Sequence, residues 1–365
     1  MPYKMVLMKR IVFLLLVLPM VSSGQRLKPG FDKDEYIEML KVSAQFGDST
    51  YVRAFPAPQQ FKLVYRSPVV GLENRWDLWT NNRGTVVLSL RGTTASSVSW
   101  LANFYAAMVP AKGELQVSDT QKFMYELADS PLAAVHVGWL VSTAFLANDI
   151  LPKVDSCYRA GSKDVLIMGH SQGGAIAYLL TAHLRHLQKQ ARLPADIQLK
   201  TYCSAAPKPG NLSFAYDYET ATQIGWSFNV VNSADWVPEV PLTVQTVNDF
   251  NPTNPFVGAP ALLKKQKFLK RIVLRRVYND LSKPSLKAQK NYQKYLGKIA
   301  SNTIKKNLTG YVPPTYFNSS DYVRTGATIV LLGDSTYTKK YPDSKEKIFT
   351  HHFHQPYLYL AEKLP

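Results

Sequence analysis

The spacing of apolar and polar positions changes along this chain, and each change marks an element. In FDKDEYIEMLKVSAQFG, residues 31–47, the apolar positions Tyr36, Met39, Leu40 and Ala44 recur at helical spacing. Asp32 and Glu35 precede them at capping-box spacing and Gly47 supplies a stop, so an amphipathic helix is expected. Three short runs follow, FKLVYR, RWDLW and TVVLSL, with the polar turn TNNRG between the last two. These predict strands paired antiparallel at one side of a sheet. From VHVGWLVSTAFLANDILPKV onward, helical patterns alternate with the strand-like runs DVLIMG, IQLKTYCS and SFNVVNS, and a helix is expected from Gly174 to about Leu187. Alternation of this kind predicts an α/β fold, a mostly parallel central sheet flanked by helices. ATIVLLG, residues 327–333, reads as one more core strand.

Between the last two strand runs the pattern differs. LLKKQKFLKRIVLRRVYNDLSKPS sets Leu262, Leu269, Val273 and Val277 on one helical stripe and Lys264, Lys267, Arg271 and Arg275 on another. Pro284 is expected to end that helix. Because a core strand follows, the basic helices at 255–315 read as an insertion before the last strand, not as a tail.

Composition narrows the class. At 365 residues, 46% hydrophobic and 12% aromatic, the chain is long and apolar enough to fold around a large core, which excludes a disordered protein. No repeat of 20 to 50 residues is visible, which argues against solenoids. The start places Lys4, Lys9 and Arg10 before an apolar run at 11–21 and small residues ending at Gly24. That pattern predicts a secretory signal peptide over 1–24, too short to span a bilayer, which takes about 20 apolar residues. The remainder, 25–365, is expected to be one exported domain, extracellular or periplasmic, soluble or peripherally attached. Two cysteines exclude a disulfide scaffold, and Cys203 in a strand run favours a buried thiol over a bridge to Cys157. The sequons at Asn211, Asn307 and Asn318 matter only in a eukaryotic secretory route.

The formal charge of +17 is uneven. Residues 261–307 hold 14 Lys or Arg against one acid, Asp280, a net +13. No nucleic-acid motif accompanies this excess. It fits peripheral contact with an anionic membrane or envelope polymers, beside the plainer readings of a solvated face or a partner contact.

The candidate chemistry lies in LIMGHSQGGAIAYLL. Gly169-His170-Ser171-Gln172-Gly173 matches G-x-S-x-G and sits between a strand run and a helical run. In that context a tight strand-to-helix turn lifts the Ser171 hydroxyl above the sheet, and positions 169 and 173 must lack side chains. The following helix starts with unpaired N–H groups that favour a developing oxyanion, so the Gln172 N–H is one expected donor. A serine nucleophile of this type needs an acid and then a histidine later in the chain. Asp235, just after the run NVVNS, is the expected acid, with Asp249 and Asp334 as substitutes and loop capping as the plain alternative. FTHHFHQPYLYL offers His351, His352 and His354 as the base. No acid or cysteine beside them completes a metal site, so neither a metal nor a cofactor is expected.

With these motifs in place the chain resembles the class 3 lipases, the fungal-lipase-like branch of the α/β-hydrolases. Arg91-Gly92-Thr93 with Trp100, His136-Val137-Gly138-Trp139, the elbow 169–174, YCSAAPKPGN and Asp235 to Pro241 occur in that family's order. The departures are Gln172 in the elbow and Ser204 where glycine is usual. The resemblance spans roughly 31–250 and the last 40 residues and leaves the basic insertion uncovered. It implies an α/β-hydrolase fold, His352 as the base through its spacing to Tyr357 with His354 as the fallback, and the Thr93 backbone N–H as a second oxyanion donor, its hydroxyl adding a third. A mobile lid in that family would fall at about 103–134 here, where ordinary packing is an equal reading.

The expected activity is hydrolysis of lipid or other carboxylic esters, triacylglycerol lipase-like, through Ser171, His352, Asp235 and an acyl-enzyme. A phospholipase or polymer-acyl esterase, a serine peptidase, and a non-catalytic envelope- or lipid-binding protein on the same scaffold are the competing readings.

Overall fold

The structure is a computed structural model that describes residues 27–256 and 258–365; the expected signal peptide, 1–24, lies outside the described residues. In chain order the elements begin with α1 (Lys33–Ala44), α2 (Ser49–Ala54), β1 (Lys62–Arg66), β2 (Trp76–Thr80) and β3 (Thr85–Leu90). There follow α3 (Ser97–Phe104), β4 (Met108–Pro110), β5 (Lys112–Gln116), β6 (Lys122–Glu126), β7 (Ala134–His136) and α4 (Val137–Arg159). Next come β8 (Asp164–His170), α5 (Gln172–Lys189), β9 (Gln198–Ser204), α6 (Leu212–Thr222) and β10 (Ser227–Asn232). The chain closes with α7 (Ala259–Lys264), α8 (Phe268–Gln293), α9 (Ala300–Asn307), β11 (Ala327–Leu331), α10 (Ser335–Lys340) and α11 (His354–Ala361).

One seven-stranded sheet runs β1-β2-β3-β8-β9-β10-β11. Strands β1, β2 and β3 pair antiparallel, and β3, β8, β9, β10 and β11 pair parallel. Alternate side chains of a strand point to opposite faces, and both faces here are covered. In β8, Val165 and Ile167 join the core that holds α4 and α5, whereas Leu166 and Met168 join the core that holds α1 and α11. The α/β class and the antiparallel edge follow the periodicities in the sequence, and the topology is that of an α/β-hydrolase-like sheet.

The first helix buries Tyr36, Met39, Leu40 and Ala44 as its spacing requires. Its capping box is half formed. Asp32 Oδ1 accepts the Glu35 N–H at 2.9 Å, but the Glu35 carboxylate turns inward to pair with Lys200 Nζ at 2.6 Å. Lys200 is only 2% exposed, and a buried ammonium without a counter-charge is far more costly than a missing half-cap.

The basic insertion forms α7, α8, a π-helical turn at Lys294–Ile299, and α9. Two expectations fail here. Lys267 is extended, so Leu262 in α7 does not share a helix with Leu269, Val273 and Val277. Pro284 does not end the helix but lies inside α8, which continues to Gln293. A mid-helix proline costs roughly 3 kcal/mol. Tertiary contacts offset it: Ser282 and Gln289 are buried, Gln293 Nε2 donates to the Phe317 carbonyl at 2.6 Å, and the Leu296 carbonyl accepts the Ala107 N–H at 3.0 Å.

The interval 103–134 carries four short strands. Strands β4 with β7 and β5 with β6 pair, and Val109, Leu115, Phe123 and Leu127 belong to the main core. Both cysteines are free thiols, Cys203 buried and Cys157 half-buried. Asn211 is buried, and its Nδ2 donates to the Leu132 carbonyl at 2.8 Å, which leaves that sequon unavailable to a glycan. Among the described residues no helix is long and apolar enough to cross a membrane.

Candidate active site

Strand β8 delivers the elbow. Ser171 has φ 61° and ψ −131°, a backbone region that side-chain-bearing residues seldom adopt and that costs of order 1–3 kcal/mol. The turn is as tight as its glycines imply. A Cβ at Gly169 would collide with the Gly173 carbonyl, and one at Gly173 with the Leu90 carbonyl of β3. Helix α5 starts at Gln172, two residues ahead of the expected Gly174, so the Gln172 amide heads the helix with no intrahelical acceptor.

Asp235 follows β10 and is almost fully buried. Its Oδ2 accepts from His352 Nδ1 at 2.7 Å and from the Tyr357 hydroxyl at 2.8 Å; its Oδ1 accepts the Val237 N–H at 3.0 Å. Burial by itself raises the Asp235 pKa, but these donors outweigh burial and hold the carboxyl below its ordinary range. With Nδ1 donating to the carboxylate, the neutral His352 ring presents Nε2 as a free base.

The three tail histidines have different partners. His351 bonds the Tyr337 hydroxyl at 2.7 Å and Asp343 at 2.9 Å; His354 bonds the Tyr51 hydroxyl at 2.9 Å and Ser43 Oγ at 3.2 Å. Only His352 lines a cavity with Ser171. The substitute acids are likewise elsewhere: Asp249 accepts from Thr246, and Asp334 caps α10.

That cavity, about 630 Å³, also takes in Thr93, Gln172, Trp100, Trp139 and Trp236. Tyr292 and Leu296 of the basic insertion form part of its wall. Ser171 and the His352 ring face it without a direct hydrogen bond, a contact that commonly tightens only around substrate.

Two networks hold this geometry, and Asn103, the hub of the first, belongs to no motif. In the first, Asn103 Oδ1 accepts from Trp139 Nε1 at 3.0 Å and from Gln172 Nε2 at 3.0 Å. Both partners are obligate donors there, so the amide orientation is fixed and Nδ2 donates to Thr93 Oγ1 at 2.9 Å. The Thr93 hydroxyl therefore has its own proton to donate elsewhere. In the second, His170 Nε2 donates to the His352 carbonyl at 2.7 Å. Its Nδ1 then accepts from Ser204 Oγ at 3.1 Å, and Ser204 Oγ accepts from the Tyr36 hydroxyl at 2.8 Å. Ser204, where the family usually has glycine, thus links the elbow to α1.

Burial depresses the pKa of His136 and of His170 to about 3, and of His183 to about 4. A histidine with a depressed folded pKa contributes stability that is complete above the unfolded value, about 6.5, and is lost as pH falls toward the folded one. Tm should therefore drop steadily from pH 6.5 toward 4. In a His136→Gln variant that pH slope should be shallower; an unchanged slope would refute this account of His136.

Residues 87–245 match the family model described as Lipase (class 3). The chain is 28% identical over 138 residues to the Arabidopsis thaliana chloroplastic phospholipase A1-Ialpha2, covering 36% of this chain and 28% of that one. It is 33% identical over 85 residues to lipase ZK262.3 of Caenorhabditis elegans, covering 23% and 22%. The chain thus spans about a quarter of the length of these curated relatives. Among solved structures it is similar to the Rhizomucor miehei lipase propeptide complex, with 22% identity, TM-score 0.41 and coverage of 59% and 65%. For Lip2 lipase of Yarrowia lipolytica the values are 17%, 0.42, 60% and 79%. Over residues 87–245, which contain the serine elbow and the acid that follows β10, the chain is similar to the class 3 lipase family.

Proposed function

We propose that the protein is an exported serine hydrolase that cleaves lipid or other carboxylic esters, with Ser171 as nucleophile, His352 as base and Asp235 as orienting acid. The observation that carries this reading is the buried Asp235–His352 hydrogen bond, with its ring on the same cavity as a serine held at positive φ. As Ser171 Oγ bonds to the ester carbonyl carbon, His352 Nε2 takes its proton, and the carbonyl oxygen gains charge beside the Gln172 and Thr93 N–H groups. Collapse expels the alcohol, which leaves with the proton held by His352. Water, deprotonated by the same ring, then frees the acid from Ser171. The tryptophan-lined cavity suits an apolar acyl chain.

Phospholipids stand beside acylglycerols as substrates, since one relative is a phospholipase A1 and another a lipase by name. The same reading includes peripheral contact of 261–307 with an anionic membrane or envelope, on the strength of its net +13. A lipid-like fluorophosphonate should label the protein at Ser171 alone, as mapped by peptide mass spectrometry. Labelling at another residue, or none, would sink the proposal. Because the main donor at Thr93 is backbone, Thr93→Ala should cost less than the roughly 100- to 1000-fold of a deleted oxyanion donor. A fall as deep as that of Ser171→Ala would contradict the backbone assignment.

A further inference from the structure

We infer that the N-terminal half of α8 is an interfacial anchor that inserts apolar side chains into an anionic lipid bilayer and brings the mouth of the Ser171 cavity to the lipid surface. The anchoring goes beyond charge attraction. It rests on the lipid-ester reading only for what the bilayer supplies to the site.

From Phe268 to Leu281 no residue of α8 is buried, a stretch of about 20 Å at helical rise. Leu269 is 76% exposed, Leu281 76% and Phe268 65%, with Ile272, Val273 and Val277 also open to solvent. Scattered exposed leucines are ordinary, but seven exposed apolar side chains on this stretch of one helix, Leu274 included, mark a contact surface. Basic residues flank them: residues 261–281 hold seven Lys or Arg against Asp280. An exposed amphipathic helix with this composition lies in the headgroup region, apolar face down and cations among anionic headgroups.

Two other occupants fit less well. A second copy meeting this face would set its own cations against one another. An acidic protein would satisfy the charge but has no reason to favour the cavity mouth, where the lining residues Leu242, Phe104 and Phe353 are also exposed, Leu242 by 77%. Helix α8 leads into the cavity wall itself, where Tyr292 lies near its end and Leu296 lies in the π-helical turn that follows. A bilayer offers anionic headgroups, apolar chains and ester substrate together.

The test is sedimentation of the full chain with vesicles of phosphatidylcholine alone or mixed with phosphatidylglycerol, at low and high salt. The variants are the triple Lys267→Gln, Arg271→Gln, Arg275→Gln and the triple Leu269→Ser, Val273→Ser, Val277→Ser. Wild type should bind the mixed vesicles and not the neutral ones. The glutamine triple should bind about 100-fold more weakly. The serine triple, its charge intact, should lose about 10-fold or more. Turnover of a water-soluble short-chain ester should be unchanged in both, while vesicle-borne ester should show a raised apparent KM with kcat retained. Equal binding to neutral vesicles, full binding by the serine triple, or no vesicle binding by wild type overturns the anchor. A wild-type dimer that the serine triple dissociates, without vesicle binding, assigns the face to a second copy and also overturns it. Vesicle binding without soluble-ester turnover would refute the hydrolase reading and leave the anchor standing.

Discussion

Ser171→Ala will lower turnover of a soluble ester about 10⁶-fold, the scale seen when a serine hydrolase loses its nucleophile. The replacement removes the only atom proposed to bond to substrate and leaves the elbow backbone as it was. His352→Ala should cost nearly as much, and the double variant little more, because neither group works without the other. Single-turnover assays of the three proteins measure this directly. Additive losses, or a Ser171→Ala protein within about 100-fold of wild type, would remove serine chemistry from the site. His354 is the control: the Tyr51 hydroxyl and Ser43 hold its ring away from Ser171, so His354→Gln should keep most of the activity. If it instead matched His352→Ala, the base would have to be reassigned.

Asp235→Asn should cost about 10⁴-fold in kcat with little change in fold. The Asp235 Oδ2 atom takes two donors, His352 Nδ1 and the Tyr357 hydroxyl, while Oδ1 takes the Val237 N–H. An asparagine keeps one acceptor oxygen for three donors and turns an N–H toward one of them. The simplest rearrangement flips the imidazole tautomer, so that Nε2 carries a proton and no longer serves as a base. Tyr357→Phe removes one donor and preserves the carboxylate, so its loss should be far smaller, about 10-fold, since one hydrogen bond to a charged group is worth roughly 1.5–3 kcal/mol. The two variants together separate the charge of Asp235 from its positioning. A Tyr357→Phe loss equal to that of Asp235→Asn would mean the tyrosine does more than hold the carboxylate.

Much of the site is legible in the sequence, because it rests on local rules. Gly169 and Gly173 flank Ser171 in a strand-to-helix context, and the collisions a Cβ would cause are dictated by backbone geometry that the motif encodes. Asp235 was legible as the polar residue just past a strand run. The histidine was harder. Residue periodicity places His351, His352 and His354 together, and only spacing to Tyr357 in a resembling family favoured one; their separate partners lie up to hundreds of residues away in the chain. Asn103 carried no signal at all. An asparagine near the end of a helical run becomes a keystone only because α3, α4 and the elbow converge on its amide.

The basic insertion divides in the same way. Its charge and its helical period were plain in the sequence, but Pro284 misled, because a local helix penalty was outweighed by contacts with residues 107 and 317. Nor does anything in the pattern say that Tyr292 and Leu296 wall the cavity while Leu269 and Leu281 stay in solvent. By itself the sequence determined the chain order of the seven strands of the main sheet, the tight bend that carries the serine, and the concentration of positive charge, since each depends on residues close together along the chain. Which histidine meets the acid, what steadies the Thr93 loop, and which face of the insertion lacks a protein partner were decided only by tertiary packing, which alone joins residues far apart in sequence.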